Sequence, residues 1–246
     1  MNEEGRIIQT NKQNKQNFYS DPNTVEQYEN LRFSNAGGKF VHELEERTFA
    51  KFLESTIQSG NVLDVPCGTG RMFPMLKTFN FDKIYGGDYS DEMLAQCHSN
   101  GLFDLIDISK RDIYDTKFEP NYFYTILSSR FLFHCDDQPR LFKEFSRLIK
   151  VNGYLVFDTL NWSPRTRLTF FSKKLGGNIF TNNHESIITL AGKYGFTVIK
   201  SQNILVFPSF LYNFMPSFLM RIIRGLESVW PSVLKTKTVW LLKKND

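Results

Sequence analysis

The chain has 246 residues, a formal net charge of +4, and apolar side chains at 41% of positions, which is ample for a sizeable core in one large domain. That composition excludes a disordered protein, and so mild a charge is not the concentrated basic stripe of a nucleic-acid binder. The three cysteines, Cys67, Cys97 and Cys135, form no C-x-x-C pair, so neither a disulfide framework nor a zinc cluster is expected and no metal is assigned.

Residues 1–17, with Asn11, Lys12, Gln13 and Asn14, are polar and lack an apolar signal core; they read as a mobile tail. Residues 18–246 read as a single domain. From Thr24, the spacing of Val25, Tyr28 and Leu31 predicts a short helix, then a turn around Gly37 and Gly38. A stronger helix is predicted from Phe40 to Ile57, stopped near Gly60, so that residues 18–60 form a helical lid. Alternation begins after it. Strands are predicted at Asn61–Val65, Lys83–Gly87, Leu105–Ser109, Tyr122–Ser128 and Tyr154–Leu160, with helices at Arg71–Thr78, Asp91–Ser99 and Gln138–Leu148. A helix at Glu185–Tyr194 and strands at Phe196–Ile204 and Thr236–Leu242 complete the series. The expected fold is α/β: a doubly wound, mainly parallel seven-stranded sheet with helices on both faces and a helical insertion between the last two strands. Residues 61–160 would be its ligand-binding core, and 161–246 an elaboration on the substrate side. Nowhere is there the run of about 20 apolar residues needed to span a membrane, and a cytoplasmic protein is expected.

Open parallel sheets bind ligands at the carboxyl ends of their strands. Here Asn61-Val-Leu-Asp-Val-Pro-Cys-Gly-Thr-Gly-Arg71 runs from a strand into a glycine turn and then a helix. Gly68 and Gly70 allow a ligand to lie against the main chain. Asp64 is placed to organise the turn's amides or to receive an ammonium group. A dinucleotide fingerprint would need a third glycine at the position of Phe73, and no Lys-Ser or Lys-Thr follows the turn, so a P-loop is excluded. In Lys83-Ile-Tyr-Gly-Gly-Asp-Tyr-Ser-Asp-Glu-Met-Leu94, Asp88 ends the second strand, where a carboxylate can accept both hydroxyls of a ribose. Ser90 is a candidate helix cap.

These blocks resemble the class I S-adenosylmethionine-dependent methyltransferases, closely over 61–160 and more loosely in the flanks. Pro66 stands where that family usually has its first loop glycine, and Tyr124 where it often has an acid. The resemblance implies S-adenosylmethionine as cofactor. It implies that Asp64, Gly68 and Gly70, with Pro66 and Cys67 in the same turn, hold the methionine part, and that Asp88 binds the ribose. It further implies that Asp112 meets the adenine amino group while Ile113, Tyr89 and Met93 border the ring. Ser129 and Arg130, at the end of the fourth strand, would face the methionine end.

Methyl transfer from an activated sulfonium needs alignment and, for some acceptors, a base. His134 lies just past the fourth strand and is the candidate base. Tyr28 and Arg32 resemble the family's lid and are candidate substrate contacts, whereas His42, His98 and His184 read as surface or packing residues. The expected reaction is methylation of O, N or C on a small molecule, lipid-like or saccharide, with no nucleic-acid partner. Segments 161–183 and 205–234 are the places for acceptor choice. The second is rich in Phe and reads as a helical cover over the sheet or as a peripheral membrane contact with Arg221 and Arg224 on its polar side. A non-catalytic binding module docking through that segment, and a nicotinamide-dependent oxidoreductase, remain as alternatives. Oligomeric state is left open.

Overall fold

In the computed structural model, described over residues 17–56, 59–99, 106–166 and 178–246, strands and helices alternate to build one seven-stranded sheet. The side chains of residues 28–33 lie outside that description, as do residues 1–16 of the expected tail and the basic cluster at Arg167, Lys173 and Lys174. Helix α1 (Pro22–Phe33) starts at Asp21, whose carboxylate accepts from the Asn23 amide. Helix α2 (Ala36–Leu53) starts at Asn35, whose side chain accepts from the Gly38 amide at 2.7 Å. The turn expected at Gly37 and Gly38 is therefore the first turn of a helix. A Cβ on Gly37 would fall 1.9 Å from the Tyr212 carbonyl oxygen, so the glycine serves a close approach rather than a bend. The helix also stops at Leu53, short of the expected Ile57.

The strands are β1 (Asn61–Asp64), β2 (Lys83–Asp88), β3 (Ile106–Lys110), β4 (Phe123–Ser128), β5 (Ile149–Leu160), β6 (Phe196–Ile204) and β7 (Lys237–Lys244). Their order in the sheet is β3-β2-β1-β4-β5-β7-β6, with β7 antiparallel to both of its neighbours and the first five strands parallel. The remaining helices are α3 (Phe73–Leu76), α4 (Asp91–Ser99), α5 (Gln138–Leu148), α6 (His184–Lys193), α7 (Ser209–Tyr212) and α8 (Ser217–Val229). Two expected boundaries move for identifiable reasons. The helix expected over Arg71–Thr78 shrinks to α3, because the glycine turn consumes its start and the Thr78 hydroxyl closes its end on the Met75 carbonyl. The turn expected before Tyr154 is instead a bulge inside β5, where Asn152 takes a φ of 64°, a left-handed conformation that asparagine tolerates.

Side-chain alternation along each strand splits the core in two. Val62, Ile84, Leu127, Val156 and Leu241 point to the face covered by α2, α3, α4 and the 205–223 region. Leu63, Tyr85, Ile126, Phe157 and Trp240 point to the face covered by α5 and α6. Within 205–234, helices α7 and α8 pack against α2, with Tyr212, Met220 and Ile223 buried. Among the described residues no helix is long and apolar enough to cross a membrane.

Candidate active site

β1 lies between β2 and β4, so the chain leaves the carboxyl end of β1 with one crossover on each side. Such a switch point opens a crevice above the sheet. A cleft of about 1180 Å³, continuous with solvent, occupies this place. The turn after β1 forms its floor. Gly68 has a φ of 55°, and a Cβ built on it would meet nothing within 4 Å, so its backbone faces open space in the cleft. Gly70, with a φ of 81°, sits behind the wall: a Cβ there would fall 2.6 Å from Cys97 Sγ and 2.8 Å from the Phe73 ring.

The two acidic residues divide the work differently from the simplest sequence expectation. Asp88, not Asp64, organises the turn. One of its oxygens accepts from the Gly68 amide at 2.8 Å and the other from the Ser90 amide at 2.9 Å. Ser90 in turn caps α4 by accepting from the Met93 amide at 3.0 Å. Burial pushes the Asp88 carboxyl up from its ordinary value, and the amides of Ser90 and Gly68 pull it partly back. Asp64 is buried at the base of the cleft, and its Oδ1 has no hydrogen-bond partner. Burial pushes its carboxyl well above the ordinary range; Arg71 opposes that shift and Asp88 adds to it. A buried acceptor of this kind is uncommon.

The other expected residues mostly converge. Pro66, Cys67, Asp88, Tyr89, Met93, Asp112, Ile113, Ser129, Arg130 and His134 all line the cleft with Asp64 and Gly68. Burial raises the Cys67 thiol, leaving it a packing group rather than a nucleophile. Ile113 is buried, Tyr89 is exposed with the Lys110 ammonium 5.5 Å from its ring centre, and Asp112 accepts from the Tyr114 amide at 3.1 Å. Ser129 Oγ is buried with no hydrogen-bond partner. The backbones of Tyr28 and Arg32 lie in α1, but their side chains are outside the described residues.

Arg130 lines the cleft and also joins a buried ion-pair cluster. Its Nε donates to Glu45 Oε2 at 2.8 Å, and its amide donates to Asp158 Oδ1 at 2.6 Å. Lys237 reaches the same two acids, bonding Glu45 Oε1 at 2.6 Å and Asp158 Oδ2. Burial alone would raise Glu45, but Arg130 and Lys237 hold it down at about 2. The left-handed backbone of Arg130, at a φ of 58°, is fixed by this buried quartet.

Two further residues were missed in the sequence. Tyr19 lines the cleft, with its hydroxyl 3.5 Å from His134 Nε2 and its ring edge-on to the imidazole. Arg71 also lines it, 3.0 Å from His42 Nδ1. Burial and Arg71 lower His42 to about 4, so of the two readings, surface or packing, it is the packing one. No periodicity in residues 17–21 flags Tyr19; an aromatic just before a capped helix was its only trace.

Comparison with known proteins locates the domain. Residues 63–157 match a family model described as "Methyltransferase domain". Phosphoethanolamine N-methyltransferase 3 of Arabidopsis thaliana is 32% identical over 108 residues, covering 43% of this chain and 22% of that protein. The match thus spans about a fifth of that relative's length. Phosphoethanolamine N-methyltransferase 2 of Haemonchus contortus, solved with phosphomonomethylethanolamine and S-adenosylhomocysteine, superposes with a TM-score of 0.66 at 20% identity, over 94% of this chain and 60% of that one. Magnesium protoporphyrin IX methyltransferase of Synechocystis, solved with S-adenosylhomocysteine, gives a TM-score of 0.65 at 13% identity, over 94% of this chain and 100% of that one. At these identities the structural likeness establishes the fold, a Rossmann-like sheet shared with class I methyltransferases.

Proposed function

We propose that this chain, whose residues 63–157 match the methyltransferase domain family, transfers a methyl group from S-adenosylmethionine to O, N or C of a small-molecule acceptor, lipid-like or saccharide. The observation that carries the reading is the pair of acids at the glycine turn, Asp64 buried and Asp88 half-buried. Asp88 clasps the Gly68 and Ser90 amides, and Asp64 presents an unpartnered oxygen beside them.

The residues present fit the cofactor. Asp64 Oδ1 suits its ammonium, the open backbone of Gly68 suits its methionine chain, and each Asp88 oxygen keeps acceptor capacity for a ribose hydroxyl. Tyr89, Met93 and Ile113 offer apolar borders for an adenine, with the Asp112 carboxylate nearby. The bound cofactor supplies the electrophilic methyl group. The protein's part is to align the acceptor and to take its proton. His134 is our candidate for that proton, and Tyr19, whose hydroxyl lies 3.5 Å from its Nε2, would steady the ring. Phe73 supports this reading over a nicotinamide cofactor: its ring packs beneath Gly70 and Gly86, where the dinucleotide pattern calls for a glycine. Three free, buried thiols support a reducing, cytoplasmic setting.

Calorimetric titration with S-adenosylmethionine and with NAD tests the cofactor, and a metabolite screen with isotope-labelled cofactor identifies the acceptor. Folded protein that binds neither S-adenosylmethionine nor S-adenosylhomocysteine would sink the reading. His134→Asn is expected to lower kcat with little change in cofactor affinity; an unaltered kcat removes His134 from the chemistry.

A further inference from the structure

The methyl-transfer reading leaves the segment between β6 and β7 without a role. Both β5 and β6 are antiparallel to β7, so β6 runs with β5 and its carboxyl end at Ile204 emerges on the cleft edge of the sheet. Residues 205–236 therefore start from that edge, and their helices pack over α2. One side of this cover is buried on α2 through Tyr212, Met220 and Ile223. The opposite side is also apolar: Phe214, Phe218, Ile222, Val229, Val233 and Leu234 are each between 52% and 82% exposed. Within α8, Phe218, Ile222 and Val229 follow at intervals of four and seven and share one face, while Phe214 and Val233 lie just outside its two ends. A helix that packs only on its own protein turns polar residues outward. This one does not.

The charge on the segment has one sign. Its one acid, Glu227, is buried, accepts the Leu205 and Val206 amides at 3.0 and 3.1 Å, and pairs with Lys235. Its exposed charges are Arg221 and Arg224, the second shared with Glu43 of α2. Trp162, half exposed at the end of β5, donates its indole N–H to the Leu234 carbonyl and extends the apolar surface toward the cleft side.

We propose that this face seats on an anionic phospholipid bilayer, with Phe218 and Ile222 sunk to the headgroup boundary and Arg221 meeting phosphate, so that the cleft edge lies against the membrane. Apolar rows flanked by arginine are what lipid surfaces bind, and aromatic residues such as Trp162 favour that depth. A second copy fits less well, because the segment offers it arginines but no exposed acid of its own to meet them.

The test is co-sedimentation of the full chain at physiological salt with vesicles of phosphatidylcholine containing roughly one-third phosphatidylglycerol, against phosphatidylcholine alone. The wild type is expected to bind the anionic vesicles more tightly. Phe218→Ser with Ile222→Ser should weaken that binding at least about tenfold, and Arg221→Glu should reduce the preference for anionic vesicles. Both substituted side chains are exposed, so circular dichroism and cofactor titration on the same preparation should be unchanged, which separates this outcome from failure of the methyltransferase reading. Wild-type protein that ignores anionic vesicles overturns the proposal, as does a double variant that binds like wild type. A concentration-dependent dimer in light scattering, abolished by the same double variant, assigns the face to a second copy and also overturns it.

Discussion

Two pairs of acids, one at the carboxyl edge of the sheet and one between the sheet and α2, have opposite fates. At the carboxyl ends of β1 and β2, Asp64 and Asp88 have no cation bonded to them, and burial drives both carboxyls up. Near β5 and β7, Glu45 and Asp158 are fully buried, yet Lys237 pairs with both and Arg130 with Glu45, which is held at about 2. Burial alone therefore does not decide what an acid does; its partners do. The first pair keeps unused acceptor capacity, which the proposed cofactor would fill. The second is complete and holds α2, the end of β4 and the last strand together.

The sharpest way to break this contrast is to remove the shared cation. Lys237→Met leaves two buried carboxylates without their common partner, and urea unfolding should show a loss of about 3–5 kcal/mol. A loss below 1 kcal/mol would mean the quartet is no keystone. The acid limb of the stability curve probes the same cluster. Because the folded pKa of Glu45 is depressed from 4.5 to about 2, its contribution is present above pH 4.5 and fades as the pH falls toward about 2. Glu45→Gln should flatten stability against pH across that window; an unchanged slope would place the acid sensitivity elsewhere.

On the other side of the comparison, Asp88→Ala removes the acceptor of two loop amides and of the proposed ribose. S-adenosylmethionine binding should weaken roughly tenfold to hundredfold, about 1–3 kcal/mol by calorimetry. The smallest effect is the most diagnostic. A raised pKa means that folded Asp64 holds its proton more tightly than the unfolded chain, so it costs stability as the pH climbs from 3.8 through its folded value. Asp64→Asn should therefore stabilise the cofactor-free protein at neutral pH by about 0.5–2 kcal/mol while weakening cofactor binding. If both properties fell together, Asp64 would be structural.

The cleft was largely readable because its signals are local. A strand, a glycine turn and an acid at the end of the next strand occupy Asn61 to Asp88, and the structure brings those residues to one wall. The quartet was not readable, since Arg130 meets Glu45 across 85 residues, Lys237 meets Asp158 across 79 and Lys237 meets Glu45 across 192. No spacing rule reaches that far, so the strand-end position of Arg130 was visible but its ion pair with Glu45 was not. Tyr19, 115 residues from His134, was hidden in the same way. Gly37 misled for another reason: a glycine admitted by a distant carbonyl looks, in sequence, like one required by a turn.

The placement of β7 bears on how the molecule is made. It slots between β5 and β6 although it follows both in the chain. Until it emerges from the ribosome, those two strands face each other across a gap with unpaired edges, and the acids of the quartet await their lysine. A nascent or prematurely stopped chain ending before Lys237 would thus display open strand edges, the form most prone to aggregate and most in need of a chaperone.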